Sequence, residues 1–165
     1  LFLLSIMIGS GVSFGAAPPI GGGVALNFPT EHFNPPAPVN IPITGFGHGR
    51  RIRIVGVPNQ NGRRFTINLN TPSDTAFHFN CRFDERCVVR NNTRNSAWQN
   101  EERYGDFPFV HGQIFTLKFV AVGGQIEVYH NGRLFIRFVE RDDPLNIRTV
   151  QVEGDVHIHS IHIVN

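Results

Sequence analysis

The chain has 165 residues, 41% of them hydrophobic, with fifteen Lys and Arg against thirteen Asp and Glu for a formal net charge of +2. That length suits one well-cored domain, and so small an imbalance leaves no basic stripe of the kind that tracks phosphates, which excludes nucleic acid as a partner. Two cysteines, Cys81 and Cys87, are too few for a disulfide framework or for a closed zinc site.

Residues 1–15, LFLLSIMIGSGVSFG, are an apolar run followed by small residues, like the hydrophobic region and cleavage zone of a secretory signal. With no initiating Met and no basic flank, the segment reads as signal-like or non-native, and it falls short of the roughly 20 apolar residues that span a bilayer. Membrane insertion is therefore not expected. Residues 16–36 are rich in Gly, Pro and small side chains, the composition of a linker, and the domain is placed at 37–165.

Beyond the linker, a period of two recurs. In RRIRIVGV, Arg51 and Arg53 alternate with Ile52 and Ile54, which describes a solvated strand face rather than a basic patch. FTINLN puts Phe65, Ile67 and Leu69 on one side; AFHFNCRF buries Phe77 and Phe79 and presents His78, Asn80 and Arg82 on the other. Phe115, Leu117 and Phe119 repeat the pattern, and Asn131-Gly132 divides two alternating runs as a type I′ hairpin turn does. In the terminal run, His157 and His159 are expected on one face and His162 on the other, as surface histidines and not metal ligands, on a strand at a sheet edge. No segment has a helical period, so the fold class is all-β, a two-sheet antiparallel sandwich.

Between Phe77 and Arg103 the chain gathers His78, Asn80, Arg82, Asn91, Glu101 and Arg103 around its single tryptophan, Trp98. Generic solvated faces favour Lys, Glu and Thr; His, Asn and Arg instead offer fixed donors and acceptors in planar groups. Trp98 has no apolar partners at strand or helix spacing, which argues for an exposed ring. An exposed indole beside such groups suits a pyranose, whose C–H face stacks on an aromatic plate while its hydroxyls both donate and accept.

HFNCRF, then VVRN, then WQNEER resembles the signature of galectins, usually H-x-N-P-R, V-x-N and W-G-x-E-x-R, and the resemblance runs from about Val39 to Val164, closest to invertebrate members. It implies a jelly-roll sandwich of the concanavalin-A-like kind that binds β-galactosides such as lactose and N-acetyllactosamine without calcium or any cofactor. Carried over by position, His78, Asn80 and Arg82 would bond the axial 4-hydroxyl of galactose, and Asn91 and Glu101 the 6-hydroxyl. Trp98 would stack on the sugar, and Arg82, Glu101 and Arg103 would reach the next residue of the glycan. Glu85 matches a position that orients the arginine, and Val89 would line the pocket wall.

Two positions depart from the pattern: Cys81 stands for the usual Pro, and Gln99 for the usual Gly. If the residue after Trp98 has positive φ, Gln99 is strained and tilts the indole. Cys81 and Cys87 are expected on opposite faces, hence as free thiols. An enzyme is excluded: the E-x-D-x-x-E pattern of related hydrolases lacks its third acid in EGDVHI, where Ile158 stands. The alternative is a galectin-like protein-interaction module with weakened or lost sugar binding. Asn91 heads the sequon NNT, and a glycan there would block the pocket; leaderless export is favoured on that ground, classical secretion following instead if residues 1–15 are a signal peptide. Cross-linking would need a homodimer, for example through the terminal edge strand, or a second galectin domain.

Overall fold

Apolar residues at every second position have one way to leave water together, which is to face a second sheet, and the computed structural model, which describes residues 23–164, is built on that rule. In chain order the strands are β1 (Leu26–Asn27), β2 (Glu31–Phe33), β3 (Val39–Pro42), β4 (Arg51–Pro58), β5 (Arg64–Asn70), β6 (Thr75–Arg82) and β7 (Cys87–Asn91). They continue with β8 (Thr93–Arg94), β9 (Ala97–Trp98), β10 (Phe115–Val122), β11 (Gln125–His130), β12 (Arg133–Val139), β13 (Thr149–Gly154) and β14 (Val156–Val164), with a 3-10 turn at Pro144–Asn146. A seven-stranded sheet, β1-β2-β14-β4-β10-β11-β12, packs on a five-stranded sheet, β3-β13-β5-β6-β7, and β8-β9 forms a small hairpin. The fold is the expected jelly-roll sandwich.

Between the sheets lie Ile52, Ile54, Phe65, Ile67, Leu69, Phe77, Phe79, Phe115, Leu117 and Phe119, each at most 2% exposed. Every inward residue of this kind contributes about 1.5–3 kcal/mol, and ring contacts such as Phe65 stacked on Phe115 at 5.4 Å fill the space between layers. The turn between β11 and β12 has Asn131 at φ 48° and Gly132 at φ 82°, as a type I′ turn requires.

Three expectations change. Residues 16–36 were expected as linker, yet their described part contributes β1 and β2 to the larger sheet, β2 pairing along Ser160–His162. As a result β14 is no sheet edge: it lies between β2 and β4. Finally, the pairing of β14 with β4 shifts between Ile158 and Ser160. That bulge inserts one residue, so Val156 and Ile158 face inward before it and Ile161 and Ile163 after it. His162 therefore shares the outer side with His157, contrary to simple alternation.

Candidate carbohydrate-binding site

β6 is the centre of the site because its inner residues are locked in the core. Phe77, Phe79 and Cys81 are all 0% exposed, which leaves His78, Asn80 and Arg82 no choice but the outer face of the five-stranded sheet. The register sets Asn68 of β5 and Asn91 of β7 on either side of His78, and Thr66 and Val89 on either side of Asn80.

These groups bond to one another. His78 Nδ1 lies 2.7 Å from Asn68 Oδ1, and because the Asn68 amide nitrogen is already donating to Gln151 at 2.9 Å, the imidazole donates from Nδ1 and keeps Nε2 as an acceptor. Burial, with Arg82 adding its charge, lowers the His78 pKa from 6.5 to about 4, so the ring is neutral at pH 7. Asn80 donates to Thr66 Oγ1 at 2.9 Å and to the Phe65 carbonyl at 3.2 Å. Its Oδ1 accepts from Arg82 Nε at 2.6 Å.

Beyond Arg82 the site becomes a mesh of charge. Glu85 accepts from Arg82 at 3.1 Å, from Arg103 at 2.6 Å and from Arg64 at 2.9 Å. Arg103 Nε donates to Glu101 at 2.6 Å, and Glu101 lies 3.6 Å from Arg82 Nη2. The Arg103 guanidinium, then Arg82, hold the Glu85 carboxyl below its usual range. Every guanidinium is thus braced by carboxylates before any ligand arrives.

Trp98 is 57% exposed, with its ring 4.6 Å from that of His78. It sits on the β8-β9 hairpin, where Thr93 pairs with Trp98 and Arg94 with Ala97. The hairpin turn uses positive φ at Asn95 and Ser96, and Asp74 takes the backbone N–H of both, at 3.2 and 2.8 Å. Those bonds, Ser96 foremost, hold the Asp74 carboxyl below its ordinary range. Gln99 is not among the residues of positive φ. It donates its backbone N–H to Asn92 and accepts from Asn91 Nδ2 at 2.9 Å, so the strain expected of this substitution is absent.

His78, Asn80, Arg82, Glu85, Val89, Asn91, Trp98, Glu101 and Arg103 therefore come together on one face. Cys81 points into the core and Cys87 lies part-exposed on the other side of its strand pair, both free. Reading the motif alone missed Asn68, Thr66, Asp74 and Arg141. The first two were accessible from the alternation of FTINLN; the others join the site from distant turns.

A family model for galactoside-binding lectins matches residues 37–163. The chain belongs to the galectin family. A crystal structure of the Caenorhabditis elegans galectin LEC-6 superposes with a TM-score of 0.80 at 46% identity, covering 85% of this chain and 99% of that one. The 32 kDa beta-galactoside-binding lectin of Haemonchus contortus is 37% identical over 121 residues, 73% of this galectin but 43% of the relative. Mouse Galectin-7 is 37% identical over 120 residues, 70% of this chain and 88% of that protein. The chain thus spans less than half the length of the 32 kDa relative.

Proposed function

We propose that this galectin binds β-galactosides of the lactose and N-acetyllactosamine type, without calcium and without catalysis. The observation that carries the reading is the gathering of His78, Asn80, Arg82 and an exposed Trp98 on one outer strand face, with their hydrogen-bonding directions already set. An axial 4-hydroxyl would donate to His78 Nε2 or Asn80 Oδ1 and accept from Arg82, while the sugar's C–H face rests on the indole. An equatorial hydroxyl would leave these groups unpaired, at about 1–3 kcal/mol each, which is the basis for rejecting glucose at this position. Asn91 and Glu101 would take the 6-hydroxyl as donor and acceptor. Arg82, Glu101 and Arg103, with Glu85 bracing the guanidiniums, would extend to the second sugar. The same ion pairs commit Glu85 and Glu101 to arginines, which supports recognition without a bridging cation.

The partners of this site are galactose-containing glycans of glycoproteins or glycolipids. Export without a leader fits a pocket whose Asn91 must stay unmodified, since that residue is 3% exposed and its amide nitrogen is engaged by Gln99. Bivalency would come from a homodimer or from a second galectin domain. The deciding test is titration of Trp98 fluorescence with lactose, with sucrose as control and in the presence of EDTA. Saturation by lactose alone, unaffected by EDTA, is expected. A folded protein with no response at millimolar lactose would leave the protein-interaction module as the working function.

A further inference from the structure

Arg141 is not adjacent in sequence to any of the groups that would touch sugar, yet its guanidinium reaches under them. It leaves the end of β12 with its guanidinium over the Phe138 ring, 5.0 Å from the centroid, and its side chain 23% exposed. Nη1 donates to Asn91 Oδ1 at 3.1 Å, to Asn92 Oδ1 at 2.9 Å and to the Asn100 carbonyl at 2.9 Å. Nη2 donates to Glu102 Oε1 at 3.1 Å. One planar fork, 50 residues along the chain from Asn91, thus ties the end of β7 to the segment 100–102.

The chemical consequence falls on Asn91. Its Oδ1 accepts from Arg141 and from the backbone N–H of Asn92 at 2.9 Å, and its Nδ2 donates to the Gln99 carbonyl. Flipping the amide would set NH2 against two donors and the oxygen against a carbonyl, so only one orientation is permitted. Asn91 is left with one N–H to give and no acceptor to offer. Arg141 also fixes the residues on both sides of Glu101 through Asn100 O and the Glu102 carboxylate, and Glu101 is an acceptor. A donor and an acceptor are thereby held in fixed polarity.

We infer that Arg141 is a positioning residue that sets recognition of a single hydroxyl group, the one lying between Asn91 and Glu101. This inference rests on the proposed galactoside reading, in which that hydroxyl is the 6-hydroxyl of galactose. It leaves recognition of the 4-hydroxyl to β6, whose bonds to Asn68, Thr66 and Glu85 do not involve Arg141.

The test compares three glycosides on the full chain by calorimetry: methyl β-D-galactoside, its 6-deoxy analogue methyl β-D-fucoside, and its 4-epimer methyl β-D-glucoside. In the parent protein, loss of the 6-hydroxyl should weaken binding by about tenfold or more, as expected for an unpaired buried donor and a charged acceptor. In Arg141→Met that ratio should collapse below about threefold, while the 4-epimer remains rejected as strongly as before. Arg141→Lys keeps the charge but not the fork; it should fall between the two, and it serves as the second variant if Arg141→Met does not fold. An unchanged 6-deoxy ratio in either folded variant would overturn the inference, and so would equal loss of both discriminations, which would make Arg141 general scaffolding. Failure of the parent protein to bind any of the three would instead overturn the galactoside reading.

Discussion

The two sheets of this sandwich present outer faces built on the same alternation, yet their polar side chains are used in opposite ways. On the seven-stranded sheet, Arg51 and Arg53 stand exposed, Lys118 lies over the Tyr129 ring at 4.7 Å and Glu127 pairs with Arg137 at 3.0 Å. Such surface contacts are worth about 0–1 kcal/mol each. On the five-stranded sheet, Asn68, Asn80 and Asn91 are 7%, 6% and 3% exposed, and their amides are bonded at both ends. The first face tolerates water; the second has replaced it with fixed dipoles. The second arrangement suits recognition, because a group already oriented loses little freedom when a ligand docks.

Arg82→Met should break that contrast most severely. It removes the donor to Asn80 Oδ1 and one brace of Glu85, and affinity for lactose should fall by about 100-fold, towards the upper end of what a charged hydrogen bond of roughly 1.5–3 kcal/mol supplies. Calorimetric titration measures this directly, and a loss under tenfold would mean that Arg82 is not central.

Trp98→Ala should come next, weakening lactose by about tenfold or more through lost stacking and covered area while moving the melting temperature by no more than about 2 °C, since an exposed ring carries little folding energy. A large fall in melting temperature would place the indole in the scaffold instead.

Acid should act in a smaller and graded way through His78. Its folded pKa lies at about 4, below the ordinary 6.5. The unfolded chain therefore takes up this proton first, so the contribution of the neutral ring to stability is complete above pH 6.5 and drains away between 6.5 and about 4. Lactose binding, followed between pH 7 and 4, should persist through pH 6 and weaken by about twofold near pH 4, where half of the rings are protonated and their Nε2 no longer accepts. A midpoint near 6.5 would show a solvated imidazole. The least effect belongs to the opposite face: Arg51→Ser combined with Arg53→Ser should leave lactose affinity within about twofold, as expected of solvated charges.

Much of this difference between faces was legible in the sequence. Phe77 and Phe79 against His78 and Asn80 fixed which side of β6 meets solvent, and Trp98, without apolar neighbours at strand spacing, was correctly expected in the open. What escaped did so for physical reasons. Arg141 and Asp74 join the site only after the chain has folded, and no local periodicity encodes a contact between turns that distant. The bulge between Ile158 and Ser160 reverses parity with a single residue, and neither side chain there signals it. β1 and β2 lie in Pro- and Gly-rich sequence and pair because β14 offers them an edge, not because they favour extension by themselves. Arg90, 0% exposed, is another case: alternation sends it inward, whereas its charge argues for water. Its settlement against the Tyr104 ring at 4.5 Å and the carbonyls of Val88 and Tyr104 appears only in three dimensions.

Cys81 gives β6 a clock of its own. The thiol lies at 0% exposure beneath Asn80 and Arg82, and burial raises its pKa, so an alkylating reagent can reach it only while β6 is lifted from the core. Part-exposed Cys87 reacts without such an opening. The slow phase of labelling therefore times the breathing of the strand that carries the candidate site, and a ligand bound to the closed form alone would slow that phase, its rate scaling with the fraction of protein left unbound. Two sulfur atoms, six residues apart in β6 and β7, thus report separately on the surface and the interior of the same pair of strands.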